Sequence, residues 1–162
     1  MMIAGQKGFT LVELVMVITI LGILSVVATP NLFSTDIFKE KAFFDDVLNG
    51  IRYAQQLAVA TNCGVEVTIS GNAYAIERRK AAGNKGGCPD SNDTVFNLGV
   101  LRPGSGETTY TGSESGMTLT STENNIIFNA LGDANVDAVI TVNGNRTITV
   151  VAVTGYVYDS TP

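Results

Sequence analysis

An almost unbroken apolar run extends from residue 9 to residue 29, and Glu13 is its only ionisable side chain. About twenty such residues make a helix long enough to cross the hydrocarbon core of a bilayer. A carboxylate inside such a span costs a few kcal/mol unless it has a partner, so its presence indicates a function. We therefore predict that the N-terminal segment determines most of what this chain does.

The segment ahead of the run differs from a secretory signal peptide, whose cleavage site follows its apolar stretch. Here Gly8 stands directly before Phe9, and residues 9–13 read Phe-Thr-Leu-Val-Glu. Together with Gly22 and Pro30, these residues resemble the start of the type IV pilin and type II secretion pseudopilin superfamily. The resemblance implies cleavage between Gly8 and Phe9, methylation of the new Phe9 amine, and extraction from the inner membrane into a filament.

The same resemblance implies partners and a domain plan. The partners are a prepilin peptidase, an inner-membrane assembly platform and other pilin or pseudopilin subunits. The domain plan begins with a leader over residues 1–8 and a transmembrane and assembly helix over residues 9–30. An amphipathic helix packed on a sheet follows over residues 31–62, and a periplasmic β-rich domain over residues 63–162. In the family, the positions of Gly22 and Pro30 bound a stretch that can lose helical order in the filament. A simple kink is the alternative, since proline removes a backbone donor.

Two roles are open for Glu13. After cleavage, Phe9 carries a positive amine one helical turn away, and in lipid an ammonium and a carboxylate are each cheaper when paired. Pairing between subunits would set the axial register of assembly, which is the role we predict. Alternatively, residues 10–13 match the capping-box pattern, in which the acidic residue bonds back to the helix start and interacts favourably with the helix dipole.

Charge predicts the orientation. Lys7 lies just before the apolar run, and basic residues favour the cytoplasmic side of a membrane helix. We expect a single-pass inner-membrane protein with its C-terminal domain in the periplasm, which then joins the filament.

Composition limits the remaining functions. The 162 residues leave room for one modest domain beyond the helix, and the net charge of −5 argues against a general nucleic-acid binder. The chain has no histidine, and no nucleophile elbow, phosphate loop or metal-ligand spacing is present. We predict neither an enzyme nor a cofactor.

Cys63 and Cys88 are the only cysteines. In an oxidising periplasm such a pair favours a disulfide over a metal or redox site. Closing a loop of about twenty-six residues would stabilise the fold by roughly 3 to 4 kcal/mol in the chain-entropy model. Two free buried thiols are the alternative.

An apolar period of three and four residues predicts an amphipathic helix over residues 31–61. Its predicted core-facing residues are Phe33, Ile37, Phe44, Val47, Leu48, Ile51, Ala54 and Ala58.

After Cys63 the pattern alternates, which predicts strands. We expect a hairpin of residues 65–69 and 74–77, a second hairpin around Asn143-Gly-Asn145, and a long exposed loop over residues 103–125. Further strands are predicted at residues 95–101, 117–120, 126–128, 139–142, 147–153 and 156–158. A helix against an antiparallel sheet makes an α+β domain of the type IV pilin kind.

Looser motifs are similar to the GspH/FimT branch of minor pilins and pseudopilins. They are Arg52-Tyr-Ala54 with Gln56-Leu-Ala58, Ile126-Ile-Phe128 with Gly132, and Thr147-Ile-Thr-Val150 with Thr154-Gly155. The resemblance implies a minor subunit. A major pilin is the alternative, although major pilins often enclose a C-terminal loop in their disulfide, whereas both cysteines here lie soon after the helix.

Two polar clusters remain. Arg78, Arg79, Lys80 and Lys85 could contact DNA phosphates, as in some FimT-like subunits, but the Gly-Arg-x-Arg element of those relatives is reduced to Gly144-Asn-Arg146. A solvated loop is the favoured interpretation, and a DNA-binding tip subunit the alternative. Residues 133–137 resemble the start of a calcium loop but lack its later glycine and acidic residue, which favours a polar turn.

Overall fold

The computed structural model describes residues 8–28, 35–79 and 95–162. Within these residues the chain forms two helices followed by nine strands. It divides into two compact units, Met1–Asp36 and Ile37–Pro162.

Helix α1 spans Leu11–Ala28, and Glu13 in its first turn is its only ionisable side chain. Its 18 residues rise about 27 Å, slightly less than the roughly 30 Å core of a bilayer. None of the helices in the described residues is both long and apolar enough to cross a membrane, so the structure does not confirm the span predicted over residues 9–29. Gly22 lies within the continuous helix, and Pro30 lies outside the described residues.

Helix α2 spans Thr35–Thr61 and confirms the predicted amphipathic helix from residue 35 onward. Its buried face consists of Phe43, Phe44, Val47, Leu48, Ile51, Ala54 and Ala58. The prediction was wrong at Ile37, which is 63% exposed, and Phe33 lies outside the described residues. Periodicity finds the apolar face of a helix, but it does not show how far along the helix the sheets extend.

The strands form two antiparallel sheets. The strands of the first sheet are β1 Val65–Ser70, β2 Ala73–Arg79, β3 Phe96–Gly99, β4 Tyr110–Ser113 and β6 Asn125–Phe128. Those of the second sheet are β5 Leu119–Ser121, β7 Ala138–Val142, β8 Arg146–Val151 and β9 Tyr156–Asp159. The first sheet has the order β3-β2-β1-β6, with β4 also paired to β2, and the second has the order β5-β7-β8-β9.

Strands β3 and β4 share one edge of β2. Strand β3 pairs with the C-terminal part of β2, and β4 pairs with its N-terminal part. The prediction of a long exposed loop over residues 103–125 was therefore wrong in part, since it contains β4 and the buried side chains of Tyr110 and Met117. Tyr110 stands alone among threonine and glycine residues, where no alternation is visible. Met117 instead begins the strand predicted at residues 117–120, where the structure has β5 from Leu119.

The hairpin between β7 and β8 confirms the turn predicted at residues 143–145. Asn143 and Gly144 have φ angles of 52° and 72°, and the Asn145 amide donates to the Val142 carbonyl at 3.1 Å. Two successive residues with positive φ are the pattern of a type I′ turn, which suits the twist of a hairpin.

One hydrophobic core joins α2 to both sheets. Alternate residues of β1, β6, β7 and β8 are completely buried: Val65, Val67, Ile126, Phe128, Ile140, Val142, Ile148 and Val150. The domain is therefore α+β, as predicted. Cys63 is buried beside this core, and because Cys88 lies outside the described residues, the disulfide stays a prediction.

Candidate functional site

The N-terminal end of α1 is closed by a capping box. The Glu13 amide donates to Thr10 Oγ1 at 3.2 Å, and the Thr10 amide donates to Glu13 Oε2 at 3.5 Å. The carboxylate thus satisfies a backbone donor that the helix itself leaves unpaired. The capping role of Glu13 is present in the structure, and its pairing with a neighbouring subunit stays a prediction.

The bond predicted to be cleaved lies ahead of this helix. Residues 8–10 are exposed and not helical, and the Phe9 side chain is 81% exposed. Gly22 is also exposed, and a side chain added there would meet open space. Both positions are therefore accessible to other molecules.

The two described basic residues of the predicted DNA-contacting cluster do not lie in a solvated loop. Arg78 and Arg79 are half-buried residues of β2. Arg78 lines a cavity of about 210 Å³ with Tyr53, Leu57, Gly99, Val100 and Leu101. The Arg79 guanidinium lies 5.1 Å from the centre of the Phe96 ring, a cation–π contact. Lys80 and Lys85 lie outside the described residues.

Residues 133–137 lie between β6 and β7, and the side chains of Asp133, Asn135 and Asp137 all accept hydrogen bonds from within the domain. Asp133 Oδ2 accepts from Asn129 Nδ2 at 2.9 Å, and Asp137 Oδ1 accepts from the Ala152 amide at 2.7 Å. Asn135 Oδ1 accepts from the Ile127 amide at 2.8 Å. In the part of the chain that the structure describes, no group of three acidic or cysteine residues is placed to hold a metal ion.

The side chain of Asp46 ties the segment after β3 to α2. Tyr74 Oη donates to Asp46 Oδ2 at 2.8 Å, and Arg102 forms an ion pair with Asp46 Oδ1. The Arg102 guanidinium also stacks 5.0 Å from the Tyr110 ring centre. Burial raises the pKa of Tyr74, and the hydrogen bond to Asp46 raises it further, so this tyrosine stays neutral and donates its proton.

Glu40 ties the β7–β8 hairpin to the start of α2. Its Oε2 accepts from Asn143 Nδ2 at 2.8 Å, and its Oε1 lies 3.4 Å from Arg146 Nε. The hydrogen bond from Asn143 is the largest cause of the lowered pKa of Glu40. Burial acts in the opposite direction, smaller contributions from Asn145 and Arg146 add to the lowering, and the net shift of the pKa is downward.

Gln55 fastens two further loops to the other end of α2. Its Nε2 donates to the Gly132 carbonyl at 3.0 Å and to the Thr154 carbonyl at 3.2 Å. Gly155 has a φ of 61°, and a Cβ there would overlap the Gly132 carbonyl oxygen. Gly132, Thr154 and Gly155, which were quoted for the family resemblance, therefore lie close together. The sequence motif included the exposed Gln56 and not Gln55, so the residue that makes these contacts was missed.

Comparison with known families gives two matches. Residues 3–29 match the prokaryotic N-terminal methylation motif, and residues 45–155 match the type II transport protein GspH. The second match covers 111 of the 162 residues. No curated protein matches the sequence.

Two solved structures share the fold. The minor pseudopilin EpsH from the type 2 secretion system of Vibrio cholerae aligns with a TM-score of 0.55 at 11% identity, over 76% of this chain and 98% of that chain. The type IV minor pilin FimU of Pseudomonas aeruginosa aligns with a TM-score of 0.51 at 12% identity, over 78% of this chain and 91% of that chain.

The Glu40 contacts predict a pH dependence. Because the pKa of Glu40 in the folded state lies below its ordinary value of 4.5, ionised Glu40 stabilises the fold above that value, and the contribution is lost as the pH falls through the folded-state pKa. Urea unfolding of the full chain in detergent should show a steeper loss of stability below about pH 4.5 for the wild type than for Glu40→Gln. Parallel pH curves for the two proteins would contradict the assignment.

The Gly155 turn predicts a matched pair of glycine variants. Gly71→Ala places a side chain at a φ of 59° in open space and should destabilise by about 1 to 2 kcal/mol. Gly155→Ala has the same backbone strain and adds the overlap with Gly132. It should therefore lower the free energy of unfolding, measured with denaturant, by about 3 kcal/mol or more. Equal losses of unfolding free energy in the two variants would show that the loops at Gly132 and Gly155 are not held closely together.

Proposed function

We propose that this chain enters a filament through α1. The chain belongs to the type II transport protein GspH family, and it is a structural subunit of the minor pilin or pseudopilin class, not an enzyme. The observation that carries the proposal is the methylation motif at residues 3–29 followed by the GspH match at residues 45–155 in one chain. The family match favours a minor subunit over the alternative of a major pilin.

The first step of this proposal is processing. A prepilin peptidase removes residues 1–8, and the new amine of Phe9 is methylated. The accessible, non-helical residues 8–10 support it, because a peptidase needs an extended and exposed segment. The processed chain then meets the assembly platform and the other subunits of a type IV pilus or a type II secretion pseudopilus.

Family members are anchored in a membrane by their N-terminal helix. We place this chain in the inner membrane with Lys7 on the cytoplasmic side and the C-terminal domain in the periplasm. The large apolar side chains of α1 support the anchor, since those from Leu11 to Leu24 are 45% to 78% exposed. Such a surface is costly in water, so lipid covers it before assembly and the helices of other subunits cover it afterwards.

Glu13 has two tasks in this account. The contacts within the chain use Oε2 for the cap, which leaves Oε1 to accept from the Phe9 amine of a neighbouring subunit. Both groups lie in an apolar environment in the filament, where an unpaired charge costs a few kcal/mol. The pair would therefore favour one axial position of each subunit over the others.

Binding of DNA has no support from the geometry. Arg78 is half-buried, and Arg79 is packed against Phe96. Affinity for phosphates depends on accessible cations. The described part of this cluster therefore suits a structural role.

Two variants separate the tasks of Glu13. Glu13→Gln keeps a side chain that can still form a capping box but removes the charge, whereas Thr10→Ala weakens the cap and keeps the charge. Both should be cleaved before Phe9. In sheared filaments we expect Glu13→Gln to be reduced at least about tenfold, because a buried amine loses its counter-charge, and Thr10→Ala to be recovered at close to the wild-type level.

The opposite pattern would assign Glu13 to the cap alone: normal recovery of Glu13→Gln together with loss of Thr10→Ala. Failure of the wild-type chain to be cleaved would contradict the processing step itself.

A further inference from the structure

Strand β3 forms an edge of the first sheet, and its outer side is uncovered. Among the described residues it pairs only with β2, and its residues 97–99 are exposed. No described residue outside β2 forms a hydrogen bond with its backbone. The N–H and C=O groups along such an edge are available to pair with another strand.

Other edge strands of the domain are covered by side chains. The Val157 carbonyl of β9 accepts from Arg52 Nε at 3.2 Å, and the Thr111 carbonyl of β4 accepts from Arg102 Nη1 at 3.2 Å. The Ile127 amide of β6 donates to a side chain of the loop that follows β6. In the part of the chain that the structure describes, β3 has no cover of this kind, so its edge stays accessible.

The residues of this edge carry no charge and no proline. Residues 95–101 read Val-Phe-Asn-Leu-Gly-Val-Leu, whereas exposed edge strands commonly carry a lysine or a proline that prevents further pairing. The pairing of β3 with β2 shifts register at Asn97, which has no partner residue in β2. A bulged residue is left unpaired in its own sheet, so the Asn97 amide can bond to an added strand.

The cavity beside Arg78 lies at the end of this edge. It has a volume of about 210 Å³, and residues 99–101, at the end of β3 and directly after it, line it together with Tyr53 and Leu57 of α2. Leu98, which is 37% exposed, is the cross-strand neighbour of Arg78 and therefore lies on the same face of the sheet. A strand added to β3 places every second side chain on that face, next to the cavity.

We propose that β3 binds an extended strand of a different filament subunit and that one apolar side chain of this strand enters the cavity, a contact that rests on the proposed filament function. In strand addition, main-chain hydrogen bonds hold the added segment and pockets select its side chains. Here the unpaired edge requires an extended backbone, and the aromatic and aliphatic lining requires an apolar side chain. Arg78 is the only charged residue among those described that line the cavity, so it disfavours a basic side chain there.

The class of the chain favours a different subunit over a second copy. A strand donated by another subunit fills this edge once and does not repeat along the filament, which agrees with a minor pilin or pseudopilin subunit. Four residues of edge make a weak contact by themselves. Where the N-terminal helices already hold the subunits side by side, the contact becomes effectively intramolecular and gains from the high local concentration.

Photo-crosslinking in cells that assemble filaments tests the proposal. A photoreactive amino acid replaces Leu101 of the full chain, which lines the cavity and is 64% exposed. The same substitution at Tyr156, which is 61% exposed on the covered edge strand β9, is the matched control. We expect position 101 to form an adduct with one other filament subunit, and mass spectrometry to locate the link in a strand of that subunit next to an apolar residue. Position 156 should not link to that strand.

Three variants of Asn97, each combined with the photoreactive residue at position 101, test for backbone pairing. Asn97→Pro removes the amide that pairs with the added strand and should reduce the adduct about tenfold. Asn97→Lys keeps the amide but adds a charge of the kind that prevents strands from joining an edge, so it should also reduce the adduct. Asn97→Ala removes only the side chain and should leave the adduct unchanged. Urea unfolding checks that each domain is folded, and Asn97→Lys decides the question if Asn97→Pro unfolds.

The proposal is overturned if a chain recovered in sheared filaments gives no adduct from position 101, or if position 156 links to the same strand. An adduct that joins two copies of this chain, two positions of one chain, or a protein that is not a filament subunit overturns it as well. So do equal adducts from all three variants of Asn97, since backbone pairing is then excluded.

Recovery in sheared filaments separates this failure from that of the proposed function. A chain found in filaments without the adduct contradicts only the strand contact, whereas a chain absent from filaments contradicts both.

Discussion

The C-terminal domain depends on the burial of one face of α2. Phe44, Val47, Ile51, Ala54 and Ala58 are each at most 1% exposed, and they contribute to the same core as both sheets. Small sheets need an apolar surface to pack on before they are stable, and α2 supplies it for both. Three polar side chains of the same helix then hold the hairpin and connecting segments, which apolar packing alone does not orient.

Those three side chains, Glu40, Asp46 and Gln55, lie at successive positions along α2, and each holds a different region of the domain. Glu40 holds the β7–β8 hairpin, Asp46 holds the segment after β3, and Gln55 holds the loops at Gly132 and Thr154. Apolar packing is not directional, whereas hydrogen bonds are. The helix therefore determines the shape of the domain surface, which is what a filament subunit presents to its neighbours.

The sequence predicted the fold well where patterns are local. Alternation identified most strands, and Asn143-Gly144 identified a turn that positive φ angles confirm. Strand β4 was missed because Tyr110 is a lone apolar residue, and the solvated loop predicted around Arg78 was wrong because the strand continues through it. Gln55 gave no signal, since its partners lie 77 and 99 residues away in the chain and are backbone carbonyls.

In the N-terminal segment the sequence says more than the structure. Its motif indicates a function, whereas the structure shows a single helix over Leu11–Ala28. The central claim is that this segment is processed and then carries the chain into a filament. The most direct test is the intact mass of the chain recovered from sheared filaments. The account predicts a chain that begins at Phe9 and carries one added methyl group. A full-length chain, or one found in membranes but never in filaments, would contradict it.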